Sequence, residues 1–282
     1  MTINLQDKPL TPDERVGVQA LLDSQNPAIS DDLEQIWYLM DKVWDEMGCD
    51  NKNLDWDKIA LYYKHPIWLL NGLFVESHKL SISVRKAIAR YIAQKGFKRI
   101  CDYGGGFGTL AKEIALACPD SQIDIYEPFP SEYGKHCIAQ FSNIHFVSEL
   151  KADTYDCLVS TDVLEHVDNV LECFESMLDS VKIGGEALIG NCFYPVIKCH
   201  LPKNFHYRYT FKYFARAMGV RFDGIIKNTD YVESYTKIQK ADSKSFKVVI
   251  GGGASKLLFV LIGLLEPLRP LARTIKRKIK KS

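Results

Sequence analysis

Residues 97–250 predict an α/β domain built on a doubly wound, mostly parallel sheet with helices on both faces. Three observations predict it. Short β-type apolar runs alternate with helical ones, and strands separated by helices need crossover connections. The first run ends on an acid, Asp102, and turns at once through Gly104, Gly105, Gly106 and Gly108 into a helical pattern. Later runs end beside Glu127, Thr161 and Asp162, at the strand ends where such sheets hold their ligands.

Taken in order, Pro12 to Gly96 reads as helical. Val16, Ala20 and Leu21, then Leu33, Ile36, Trp37, Met40, Val43, Trp44 and Met47, recur at spacings of three and four, with Ser30 as the N-cap of the second group. All four tryptophans (Trp37, Trp44, Trp56 and Trp68) fall here, so residues 1–96 form a helical N-terminal region or lid with an aromatic core. A helix over Ser83–Lys95 closes the region at Gly96. Strands follow at Lys98–Tyr103, Gln122–Tyr126, Ile144–Val147, Tyr155–Thr161 and Glu186–Cys192, and helices at Thr109–Ala117, Ser131–Gln140 and Asn169–Val181. A glycine turn at 251–253 opens the last segment, residues 251–282, which is apolar and then basic.

The composition is that of a folded globular chain, with room for one large domain or two smaller ones at roughly 150 residues each. The net charge of +1 hides a polarity, since Asp7 to Lys58 is mostly acidic and no acid follows Glu266. The eight cysteines occur singly, without a CxxC pair, which speaks for reduced thiols and against a disulfide frame or zinc knuckle. The opening Met1-Thr-Ile-Asn-Leu-Gln-Asp-Lys lacks a charged-then-apolar export pattern, so a cytoplasmic location is expected.

A glycine-rich turn between strand and helix suits a nucleotide-like cofactor. Glycine tolerates positive φ, and the helix that follows presents unpaired N–H groups. A dinucleotide fingerprint fits Gly106-Phe-Gly108-Thr-Leu-Ala111 with Glu127 as the ribose acid, the reading of an NAD-dependent oxidoreductase, but it leaves Asp102 and Gly104 unexplained. The register Asp102-x-Gly104-x-Gly106-x-Gly108 instead resembles motif I of the class I S-adenosylmethionine-dependent methyltransferases, whose fold is Rossmann-like. The resemblance runs from Lys98 to Ile189 and more faintly to Gly219. It implies that Asp102, Gly104, Gly105, Gly106 and Gly108 hold the amino-acid end and backbone side of S-adenosyl-L-methionine. It also implies that Glu127 accepts both ribose hydroxyls and that Thr161 contacts the cofactor.

Tyr155-Asp-Cys-Leu-Val-Ser-Thr-Asp162-Val-Leu-Glu165-His166-Val resembles the same family's segment after the fourth strand, and Lys182-Ile-Gly-Gly-Glu-Ala-Leu-Ile resembles its fifth strand. Asp162, His166 and the later His206 are the candidate catalytic residues, as base or as positioning groups. The pairing of Asp162-x-x-Glu165-His166 with Pro202-Lys-x-x-His206, in the segment Leu201-Pro-Lys-Asn-Phe-His206, resembles the ubiquinone-pathway O-methyltransferases and, more loosely, the small-RNA end 2′-O-methyltransferases. That likeness implies an optional divalent metal on Asp162, Glu165, His166 and His206, against which stands Asp162 where those relatives usually carry Glu. Tyr194, His200 and Tyr207 are candidates to line the acceptor pocket.

From Lys256 to Leu265 the apolar run is about half of the roughly twenty residues a bilayer span needs, so it is expected to lie on a membrane and not to cross it. Seven cations follow: Arg269, Arg273, Lys276, Arg277, Lys278, Lys280 and Lys281. Their expected partner is an anionic membrane surface on the inner face; a last helix packed on the body with a solvated basic end is the alternative. The rest of the chain is not basic, which speaks against nucleic acid. The sequence thus predicts a methyltransferase acting on a hydroxyl of a small molecule, lipid or lipid-linked glycan near a membrane, with a catalytically silent membrane-attached scaffold of the same fold as a further alternative.

Overall fold

The computed structural model describes residues 1–265. Five helices precede the sheet: α1 (Pro12–Asp23), α2 (Asp32–Glu46), α3 (Trp56–Tyr63), α4 (Pro66–Ser77) and α5 (Lys79–Lys95). The first four begin where a side chain takes up free backbone N–H groups. Thr11 and Glu14 form a capping box at α1. Asp31, and not the expected Ser30, caps α2 by accepting from the N–H groups of Leu33 and Glu34, where its charge also meets the positive end of the helix dipole. α5 starts at Lys79 and not at Ser83 because His78 ends α4 and opens α5 in one step; Gly96, left-handed at φ +71°, ends it as expected.

Of the four tryptophans only Trp44 is core, 2% exposed and edge-on to Tyr62, whereas Trp56 is 41% exposed and Trp37 and Trp68 are half-buried. The N-terminal helices have their own apolar cluster, into which Tyr133 and Cys199 of the sheet domain also pack. The region therefore sits on the sheet domain and not apart from it.

The sheet has seven strands: β1 (Arg99–Tyr103), β2 (Gln122–Tyr126), β3 (Ile144–Val147), β4 (Tyr155–Thr161), β5 (Val181–Gly190), β6 (Val220–Ile225) and β7 (Val232–Lys237). Their order is β3-β2-β1-β4-β5-β7-β6. The first five run parallel, as the alternation of strands and helices predicts, while β7 pairs antiparallel with β5 and β6 with β7. β5 begins at Val181, inside the span expected to be helical, because a bulge across Gly184 and Gly185 lets Tyr155 face Val181 and Cys157 face Glu186. Helices α6 (Thr109–Ala117), α7 (Glu132–Ile138), α8 (Val170–Ser180), α9 (Tyr207–Ala217) and α10 (Phe246–Leu265) complete the described chain.

Alternate residues of the central strands feed two cores. Ile100, Val159 and Leu188 face α5 and α6, while Cys101, Leu158 and Ala187 face α8 and α9. Each fully buried aliphatic side chain contributes about 1.5–3 kcal/mol relative to exposure. All eight cysteines are free thiols, as their spacing implied.

The C-terminal segment departs from expectation. Glycines 251–253 lie within α10 and form no turn, because Gly251 lies against α9: a Cβ there would come within 2.9 Å of the Phe214 ring. The apolar stretch is therefore not half a span. Phe246–Leu264 has a mean hydropathy of 1.7 and, among the described residues, is the one helix long and apolar enough by length and composition to cross a membrane. The cations from Arg269 to Lys281 lie outside the described residues.

Candidate functional site

The strand order reverses between β1 and β4, and the ends of β1, β2, β4 and β5 there form the crevice where open α/β sheets bind ligands. On one side lies the glycine turn. Gly104, Gly106 and Gly108 all have φ near the left-handed region, at +71°, +53° and +71°. Substituting a side chain at Gly104 would drive Cβ to 2.5 Å from Val163, and at Gly108 to 2.8 Å from Ile125 and Ile138, whereas Gly106 faces open space within 4 Å. The turn is thus packed from below and bare above, a cradle against which a ligand can lie. Phe107, at its tip, fills a notch at Gly72 of α4, where a Cβ would approach its ring to 2.1 Å.

Asp102 is the penultimate residue of β1, beside this cradle. It is 3% exposed, and its Oδ2 is buried without a partner. Burial, with a smaller push from the nearby Glu127 charge, raises its carboxyl to about 7. A buried carboxylate oxygen without a donor is costly unless a ligand supplies one. The ammonium of an amino-acid moiety would do so. Glu127, after β2, accepts from the Gly106 and Phe129 N–H groups, each at 3.1 Å, with one oxygen apiece. Each oxygen keeps a further acceptor position, the pair that two adjacent ribose hydroxyls require. Burial raises this carboxyl as well. These residues fit S-adenosylmethionine at both of its polar ends.

On the other side, the end of β4 is walled by the N-terminal helices. Thr161 closes the strand, and Asp162 follows in the left-handed region at φ +55°, held by its N–H to the Gly190 carbonyl at 2.8 Å and by the Tyr231 hydroxyl on its carboxylate at 3.4 Å. A non-glycine residue there stores strain of about 1–3 kcal/mol, typical of a segment held in place for function. Three residues on, Glu165 is fully buried: one oxygen accepts from the Cys192 N–H at 2.8 Å and Oε2 has no partner. Burial and the Asp162 charge raise its carboxyl.

His166 Nδ1 lies 3.1 Å from the Cys199 carbonyl, and His200 Nδ1 lies 2.7 Å from the Tyr194 carbonyl. A carbonyl only accepts, so both rings carry their proton on Nδ1 and keep a lone pair on Nε2. Burial, then the neighbouring His200, pushes His166 down to about 3, and burial lowers His200 too, so both rings are neutral. One ligand atom from each of Glu165, His166 and His200 lies within 4.8 Å of the others. The edges of Tyr63 and Trp68 meet the His166 ring at 6.2 and 6.0 Å, and Phe129 stacks on Tyr63 at 6.3 Å. The Trp68 indole N–H is buried without an acceptor.

The structure brings together most of the residues singled out in the sequence. His206 and Tyr207 are exceptions: His206 stands at the start of α9 with Nδ1 2.7 Å from Ser255 Oγ of α10, burial lowers it to about 4, and His200 lies beside Glu165 and His166 in its stead. The set Asp162, Glu165, His166, His206 is corrected accordingly. Tyr207 also lies against His206 and Phe214, on the α9 side. Tyr63, Trp68 and Tyr231 escaped sequence reasoning; the tryptophans' concentration in the N-terminal region was the one available signal.

The glycine cradle, Asp102 and Glu127 fit S-adenosylmethionine, and the chain carries a methyltransferase domain on a Rossmann-like sheet. Residues 77–210 match the sequence family described as methyltransferase domain, which covers α5 through the start of α9. No curated protein sequence matches the chain. Among solved structures it is similar to an S-adenosylmethionine-dependent methyltransferase of Methanococcus maripaludis (17% identity, 61% of this chain and 94% of that one, TM-score 0.44). It is similar also to an O-methyltransferase family protein of Burkholderia thailandensis (15%, 59% and 58%, TM-score 0.42). A third is the 1,6-didemethyltoxoflavin-N1-methyltransferase of Burkholderia thailandensis with S-adenosylhomocysteine bound (11%, 56% and 80%, TM-score 0.44).

Proposed function

We propose that this chain methylates a hydroxyl of an apolar small molecule, lipid or lipid-linked glycan handled near a membrane. One observation carries the choice of oxygen: a buried carboxylate oxygen without a partner and two imidazole lone pairs converge at the acceptor side. A neutral amine is already nucleophilic, whereas a hydroxyl must lose its proton as it attacks. S-adenosylmethionine, when bound, supplies an activated methyl on its sulfonium. Asp102 and Glu127 fix the cofactor's two polar ends, and the cradle at Gly104–Gly108 sets its depth. Tyr63, Trp68 and Phe129 offer an apolar wall to the acceptor. Glu165 Oε2 would take the proton of the acceptor hydroxyl as that oxygen bonds the methyl carbon, whose bond to the sulfonium sulfur would break with its electron pair left on sulfur as the neutral thioether. His166, whose ring is held near 3, is too weak a base for this and instead accepts a hydrogen bond through Nε2.

A second reading is favoured by the same three residues. A carboxylate and two neutral imidazoles, each fixed by a carbonyl on its other nitrogen, fit a divalent cation, which would lower the pKa of a bound hydroxyl. Both readings are tested by transfer of labelled methyl from S-adenosylmethionine to phenols, catechols, polyprenyl phosphates and lipid extracts, before and after chelation. Activity on hydroxyl acceptors that survives chelation supports the carboxylate base; loss restored by Mg²⁺ or Zn²⁺ supports the cation. Methyl incorporation into amines alone would overturn the hydroxyl assignment.

A further inference from the structure

α10 is turned inside out relative to an ordinary surface helix. Successive residues of a helix turn by about 100°. On that wheel Phe246, Ile250, Leu257, Val260, Leu261 and Leu264 fall within about 60° of one line, and all are 48–79% exposed. The opposite side, facing α9, carries Val248, Gly251 and Ser255. There the Ser255 hydroxyl sits 2.7 Å from His206 Nδ1 and 2.6 Å from Thr210 Oγ1. The polar contacts thus point inward and the large apolar side chains outward, along a helix roughly 30 Å long. Lys247 and Lys256, both exposed, fall on the two borders of the stripe, where a lysine can lay its stem along lipid and lift its ammonium to the headgroups.

We infer that this stripe is a membrane-docking face and that its occupant is an anionic bilayer. Length and hydropathy alone would also allow a span, but the inner face is docked on α9 through Ser255 and Gly251, which fixes the helix lengthwise against the body. A helix held in this way lies in the interfacial plane. Charge selects the lipid. Beyond Leu265 the sequence carries seven cations and the single acid Glu266, so the stripe continues into a segment complementary to anionic headgroups. α9 follows directly on the segment that brings His200 to the site, so docking would set the acceptor side near the membrane. The inference rests on the helix and not on the methyl-transfer reading.

The test is flotation of the full chain with vesicles of phosphatidylcholine alone and of phosphatidylcholine containing one quarter phosphatidylglycerol. The chain is expected to float at least about tenfold more with the anionic vesicles, and raising the salt to about 0.5 M should bring this down toward the neutral-vesicle level. The double variant Ile250→Asp/Leu257→Asp should lose about tenfold or more of the flotation, with far-UV circular dichroism and S-adenosylmethionine affinity unchanged because neither side chain faces the body. Wild-type protein that floats with neither vesicle, or a variant that floats like wild type, overturns the inference. So does a concentration-dependent dimer that the double variant converts to monomer, which would assign the stripe to a second copy of the chain.

Discussion

The two halves of the crevice are built differently. The cofactor half is local in sequence: Asp102 to Gly108 supply floor and cradle within one turn, and Glu127 reaches back to the same turn through the Gly106 N–H. The acceptor half gathers residues from distant elements, with Glu165 and His166 after β4, His200 beyond β5, Tyr231 before β7, and Tyr63 and Trp68 from the N-terminal helices. A local half suits one fixed ligand. A dispersed half can be altered element by element to suit an acceptor, because each of its residues rides on a different loop.

The comparison predicts that damage to the first half abolishes cofactor binding, while damage to the second spares it. The largest effect is expected for Asp102→Asn, which removes the charge we propose meets the cofactor's ammonium: affinity measured by calorimetry should fall about 10³-fold, three charge-assisted decades at 1.4 kcal/mol each. The same variant should raise the melting temperature of the ligand-free protein at pH 8. A carboxyl raised to about 7 contributes stability that is complete below the ordinary carboxylate range and is lost as pH rises through 7. The asparagine escapes that loss, on the order of 2–4 kcal/mol.

Next, Glu165→Gln should lower methyl transfer about 10²-fold while leaving S-adenosylmethionine affinity within about twofold, which separates the two halves by their readouts. An equal loss of both would show that the halves are not independent. A smaller effect comes from pH alone. Cofactor affinity should rise by up to about tenfold per pH unit below pH 7 and level off above it as Asp102 ionises, and Asp102→Asn should flatten the profile. The smallest is Tyr231→Phe, which removes one long hydrogen bond to Asp162 and should slow transfer less than about fivefold.

Legibility in the sequence follows the same division. The glycine register and Glu127 were readable because local chemistry dictates local geometry, and β2, β3, β4 and α6 lie where the apolar periodicity places them. The acceptor half was only partly readable. Leu164-Glu165-His166 announced itself, but His206 and His200 lie six residues apart, and only the turn through Pro202–Asn204, tied to the Glu165 carbonyl by the Leu201 N–H, decides which of them faces the site. Of the antiparallel β6–β7 pair, β6 is short and interrupted by Gly224, and β7 buries the polar Ser234 and Lys237 beside Val232 and Tyr235, so its sequence shows no apolar alternation. The glycines of α10 read as a turn because propensity hides the close approach to Phe214 that requires one of them.

The central claim is that the turn from Asp102 to Gly108, with Glu127, holds S-adenosylmethionine. Calorimetric titration of the purified chain with S-adenosylhomocysteine and, separately, with NADH tests it most directly. We expect one saturable site for S-adenosylhomocysteine, weakened about 10²-fold in Glu127→Ala by loss of two charged hydrogen bonds, and no saturable heat with NADH. Saturable NADH binding, or S-adenosylhomocysteine binding indifferent to Glu127→Ala, would contradict it.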